Sequence, residues 1–358
     1  MTASPRLRGR QALLAVALAA MLVTAGCTGI LDSGGDGAGS GAQLDSVPND
    51  AEFVGYVDAS GMVGDDSLRS LANTALETQA ETSPYYEGPE SVSEMLDEAE
   101  AESGLSPEKF NDVTFFGTSG DQVATNAEQA GMIVTTEFSA EELVSSMEDE
   151  GTELTEETYG DTTVYTYGYE NQNALAVLGD GTFALGDVAA VESVVDVRAG
   201  DADALAGDLR SAYENTDDGY VRFAMNVPQE DIPSEELGEG SPIDTSAFNT
   251  VRFVSGSFST SGDSVTANVN MVSESSDDAS RTADLVDGAL SLYSGVGNEE
   301  IRTTLEKISV SQNGDTTTVS FTDSVENLED LVETMYTMNT GASASASGSA
   351  SASNSSDA

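Results

Sequence analysis

Apolar positions recur along this chain at two periods, and the switches between them divide it into strands and helices. In Phe53–Asp58 (FVGYVD) aromatic and branched residues alternate, the period-two signature of a strand, after the turn residues Val47-Pro48-Asn49-Asp50. Leu68, Leu71, Ala72, Ala75 and Leu76 then fall at helical spacing, and Val92, Met95, Leu96 and Ala99 predict a second helix over 92–101. Strands are predicted at Val113–Gly117 and Met132–Glu137. Ser139-Ala-Glu-Glu142 is a capping box for a helix with Leu143, Val144 and Met147 inward. Strands follow at Thr152–Thr158, Thr162–Tyr169, Ala174–Leu178 and Thr182–Leu185, and Asp187 is placed to cap a helix carrying Val188, Val191, Val194 and Val195.

The second half repeats the theme. Tyr220–Asn226 resembles the opening strand, and Thr250–Ser259 and Ser264–Val272 form a hairpin around Ser261-Gly262-Asp263. Ala283–Tyr293 reads as a helix, and Ile301–Ile308 as a second one. Ile308–Ser311 and Thr316–Thr322 pair around Asn313-Gly314-Asp315, and Asp323-Ser-Val-Glu326 opens a last helix with Val325, Leu328, Leu331, Val332 and Met335 inward. Hairpins outnumber parallel crossovers. The expected fold is therefore α+β, with largely antiparallel sheets, helices on one face and two loosely repeated lobes, 44–208 and 209–340.

The two ends carry other signals. Arg6, Arg8 and Arg10 precede an apolar run from Gln11 to Thr24, about 14 residues and too short for a membrane span of roughly 20. Ala25-Gly26-Cys27 then supplies small residues before a thiol. That order reads as an export signal over 1–26, ending in a lipobox-like segment that marks Cys27 for lipid attachment. Residues 27–43 form a Gly/Ser/Asp-rich tether, and 341–358 form a Ser/Ala/Gly tail with one glycosylation sequon at Asn354. The expected location is the cell membrane, lipid-anchored through Cys27 and facing the exterior.

Composition narrows the chemistry. A net charge of −52 excludes nucleic acid as a partner, because phosphate binding needs a basic surface. With no histidine and a single cysteine, no Ser-His-Asp unit, no zinc site built from His and thiolate, and no internal disulfide can form. The expectation is a non-catalytic protein with no cofactor and no metal. Two lysines among 64 acids suggest a folded halophilic protein, its carboxylates solvated and screened by salt. Asp180, Asp263 and Asp315 sit in predicted hairpin turns, which explain them better than calcium binding does. Tyr165, Tyr167 and Tyr169 fall on one strand face, either as a half-buried sheet face or as a recognition surface.

The Val47-Pro48-Asn49-Asp50-Ala51 segment, the hairpin over 174–186, the helix after Asp187 and the run Lys307-Ile308-Ser309-Val310 carry a resemblance. Over roughly 44–336 the chain resembles haloarchaeal exported lipoproteins grouped as a domain of unknown function that opens with a Val-Pro-x-Asp-Ala segment. The resemblance implies the fold and the location, and no catalytic residue. The function expected is an envelope-associated or interaction role, partner unknown. The alternative is a solute-binding lipoprotein that captures a ligand between two lobes.

Overall fold

The computed structural model describes residues 43–82, 86, 88–118, 129–179, 181–227, 245–294 and 299–334. In chain order the elements begin with β1 (Phe53–Asp58), α1 (Ala59–Gly64), α2 (Asp66–Thr82), α3 (Val92–Ser103), β2 (Phe110–Thr118), β3 (Gln129–Thr136) and α4 (Ala140–Asp149). Next come β4 (Thr155–Tyr159), β5 (Thr162–Tyr167), β6 (Asn173–Gly179), β7 (Thr182–Asp187), α5 (Val188–Ala199), α6 (Gly207–Glu214) and β8 (Val221–Asn226). The chain then continues through β9 (Val251–Ser261), β10 (Ser264–Ser273), α7 (Ser276–Ser294), α8 (Glu299–Leu305), β11 (Ile308–Asn313), β12 (Thr316–Ser324) and α9 (325–334).

All twelve strands join one sheet in the order β11-β12-β10-β9-β8-β1-β2-β3-β7-β6-β5-β4. Every pairing is antiparallel, so the fold is α+β, as the hairpin spacing predicts. The two halves of the chain contribute one half-sheet each and meet where β1 pairs with β8, Gly55 opposite Phe223. The expected lobe boundary at 208/209 falls inside α6, whose Leu209, Ala212 and Tyr213 are buried in the main core.

In-register partners share a face, so the ladders sort the side chains into two layers. The first face carries Val54, Tyr56, Phe116, Ile133, Ala184 and Ala224, and α5 and α6 cover it with Val191, Val194, Leu209 and Tyr213. Small residues at Ala174, Ala176 and Ala184 let α5 approach this part of the sheet closely. The second face carries Leu175, Phe183 and Tyr167 under α4, with Phe138 and Leu143. Farther along that face Val265 and Phe321 lie under α2 and α9, through Leu71, Val325 and Leu328. Helices thus cover both faces of β5–β7, whereas α2, α7 and α9 cover only the second face of β9–β12.

Local chemistry explains the helix starts, with two corrections. Ser139 and Glu142 form both bonds of the capping box that opens α4. Asp187 stands at the start of α5 but makes no side-chain cap; its carboxylate accepts from the Ala130 backbone N–H at 2.8 Å, across the sheet. Before α9 the capping hydroxyl belongs to Ser324, which accepts from Asn327 N–H at 3.3 Å. Asp323 instead pairs with Lys307 and accepts from Asn327 Nδ2.

Candidate functional site

The site with the clearest physical definition lies on the second face at the β1–β8 seam. Phe53, Phe115, Phe223, Met225, Val254 and Phe258 stand on that face, brought together by the registers Phe53↔Met225, Gly55↔Phe223 and Met225↔Val254. The row continues through Gly256↔Val269 and Val269↔Val319. Each of these large side chains is half-buried, although their neighbours Val57, Val113 and Val221 are sealed. From β2 to β12 the row crosses five strand spacings, about 24 Å. It is an apolar strip without a charged side chain, in a chain of net charge −52.

Two glycines make the strip flat. A Cβ on Gly55 would lie 2.1 Å from Cζ of Phe115, and one on Gly256 would lie 2.8 Å from Cε1 of Phe223. The rings therefore lie down over the backbone of neighbouring strands. Phe53 and Phe115 also meet each other at 5.6 Å between ring centroids, tilted by 44°.

Polar groups at one end hold the flanking helices. Asp65 accepts from Leu68 N–H at 2.8 Å at the start of α2, and from Tyr220 Oη at 3.0 Å and Thr260 Oγ1 at 2.6 Å. Burial works to raise the Asp65 pKa, but the bonds from Thr260, Leu68 and Tyr220 outweigh it and hold the carboxyl below its ordinary value. Ser67 Oγ donates to Gly262 O at 2.9 Å, and Ser70 Oγ donates to Glu329 of α9 at 2.6 Å. At the far side Thr317 Oγ1 donates to Ala279 O of α7 at 2.8 Å. Helices α2 and α7 are thereby pinned at either side of the strip.

A second cleft, of about 670 Å³, is lined by residues that include Glu137, Phe138, Ser139, Asp161 and Leu178. Two of its polar side chains, Thr136 and Ser139, are already engaged. Thr136 Oγ1 accepts from Phe138 N–H, and Ser139 and Glu142 are spent on the α4 cap.

The tyrosines predicted to share a strand face do not stay together. Tyr165 and Tyr167 belong to the core under α4, and Tyr167 is 5% exposed. Burial, and secondarily Asp187, pushes the Tyr167 phenol up to about 12. The strand ends at Tyr167, Gly168 turns at φ +87°, and Tyr169 starts a short 3-10 turn, 79% exposed. A recognition surface built from all three is thus replaced by two core rings and one exposed ring. Cys27, Asn354, Asp180, the signal segment and the tail lie outside the described residues. Asp263 and Asp315 follow Gly262 and Gly314, which take φ of +60° and +61°, in the hairpin turns their sequence predicts. Among the described residues no three His, Cys, Asp or Glu side chains gather to hold a metal, and no helix is long and apolar enough to cross a membrane.

No protein-family model matches the chain, and no curated protein matches it. Among solved structures it is similar to crystal form III of TP0453, with TM-score 0.44 and 10% identity over 81% of this chain and 97% of that one. It is also similar to crystal form IV (TM-score 0.43, 10% identity, 81% and 96% covered) and to form I (0.40, 11%, 82% and 97%).

Sequence reasoning missed the strip. Its signal was present in strands with apolar residues on both faces, such as Phe53-Val54 and Phe115-Phe116, since a strand wetted on one face would alternate.

Proposed function

We propose that this protein is a non-catalytic lipoprotein of the cell surface, tethered through a lipid on Cys27, whose role is to engage an apolar partner group at the β1–β8 seam. The observation that carries the contact role is the half-buried strip of Phe53, Phe115, Phe223, Met225, Val254 and Phe258. Contiguous apolar surface left unsealed on a soluble body marks interaction sites. It is more telling here because the chain carries 64 acids and the strip carries none.

The tether is consistent with this role. The described residues begin with Gln43, which donates to Thr135 Oγ1 at 2.8 Å, and Leu44, which is 1% exposed. Fifteen residues lie between Cys27 and Gln43, so the chain between them can reach at most about 55 Å. A covalent anchor suits a surface whose charge would be repelled by anionic lipid.

The solute-binding alternative is favoured by one feature: the strip straddles the join between the two halves of the chain. A thermal-shift panel on the full chain at high salt, with neutral apolar compounds, sugars, amino acids and divalent cations, tests both readings. Stabilisation by apolar compounds alone supports the proposed site. Stabilisation by a polar solute or a cation alone contradicts it.

A further inference from the structure

Helices α3 and α5 have 12 residues each and are held very differently. α5 buries Ala190, Val191, Val194, Val195 and Val197, whereas α3 buries only Val92. Met95, Leu96 and Ala99, the rest of the apolar stripe of α3, are half-buried. Its other faces carry Glu94, Asp97, Glu98, Glu100 and Glu102, with no basic residue.

Two ties place α3. At its start the Val92 N–H donates to Asn73 Oδ1 of α2 at 2.8 Å, and at its end Ser146 Oγ of α4 donates to Ser103 O at 2.6 Å. Both partner helices stand on the second face. α2 lies over β10 and β12 and α4 over β5–β7, and the strands between them include β9, β8, β1 and β2, which bear the phenylalanines of the strip. α2 and α4 both start at the sheet end where β1, β3 and β9 finish. Asn73 and Ser146 each lie about two turns into their helices, so the ties stand part-way up the face. α3, about 18 Å long, bridges them and therefore lies across the strip.

The tie to α4 works against charge. Burial, and secondarily Glu102, holds the carboxyl of Glu150 at the end of α4 above its ordinary value. Just past Ser103 the chain turns at Gly104, with φ +70° and open space around it. α2, by contrast, is fixed by Asp65, Ser67 and Ser70.

We infer that α3 is a lid over the strip, which parts from α4 at its Ser103 end and swings on its Val92 anchor to admit an apolar group. The inference rests on the reading of the strip as a contact site. Sparse burial makes α3 the element displaced at least cost. The Ser146 bond favours the closed position, and the repulsion between Glu102 and Glu150 favours the open one.

Stopped-flow mixing of the full chain with Nile red at high salt, together with hydrogen exchange, tests the lid. Ser146→Ala should speed dye association roughly two- to ten-fold. Glu150→Gln should slow it roughly two- to five-fold. Amides of α3 should exchange faster than those of α5, and faster still in Ser146→Ala, with α5 unchanged. A saturable rise at equal rates in all three proteins, or α3 exchanging as slowly as α5, would overturn the lid and leave the strip standing. No saturable rise in any of them would overturn the strip, and the lid with it.

Discussion

The ring of Phe115 lies over the backbone of Gly55, its in-register partner on β1, so closely that a Cβ there would stand 2.1 to 2.8 Å from three ring atoms. Gly55→Ala must therefore move the ring out of the strip. The expected cost is about 1–3 kcal/mol of unfolding free energy, the usual range for overpacking. Denaturant melts check it, and the same variant should lose affinity for any ligand of the strip.

Asp65 ties the start of α2 to Tyr220 and Thr260, and its pKa is lowered in the folded state. A lowered folded pKa means stabilisation that is complete above the unfolded aspartate value and is lost as pH falls through the folded one. Acid titration of the wild type should loosen α2 in that window. Asp65→Asn should be less stable at neutral pH and should lack that part of the acid dependence. Hydrogen exchange across residues 66–76 resolves the effect to this helix.

Arg222 is 7% exposed, stacked 4.6 Å from the Tyr213 ring centroid, and donates to the carbonyls of Tyr213 and Thr216 at 3.1 and 3.3 Å. Its ion-pair partner Asp218 is 75% exposed. Arg222→Ala should cost about 1–3 kcal/mol for each buried acceptor it strands. Asp218→Asn should cost less than about 1 kcal/mol. Comparable losses in the two variants, measured by chemical denaturation, would contradict this division.

Cys27→Ser should release the protein from the membrane fraction or leave it misprocessed. In the wild type, mass spectrometry should find a mature N-terminus at Cys27 carrying a lipid. A wild-type chain that begins at Met1 with a free thiol contradicts the tether.

The legible features were those that depend on near neighbours. The Ser139–Glu142 box, the Gly262 and Gly314 turns and the helix over 66–82 are each set within a few residues, and they stand where the pattern places them. Contacts distant in sequence were hidden. Asp187 looked like a cap, but its carboxylate is drawn to Ala130, 57 residues away. Tyr169 followed the strand period until Gly168, at φ +87°, turned the chain away. The strip depends on β1 meeting β8 across about 170 residues, a pairing that alternation within either strand does not encode.

The contact site is tested most directly by titrating the full chain with a neutral apolar dye, Nile red, at high salt, alongside Phe223→Asp. The account predicts a saturable rise in fluorescence for the wild type and none for Phe223→Asp, with the variant still folded by circular dichroism. An equal, saturable rise in both proteins would place the apolar site elsewhere and contradict it.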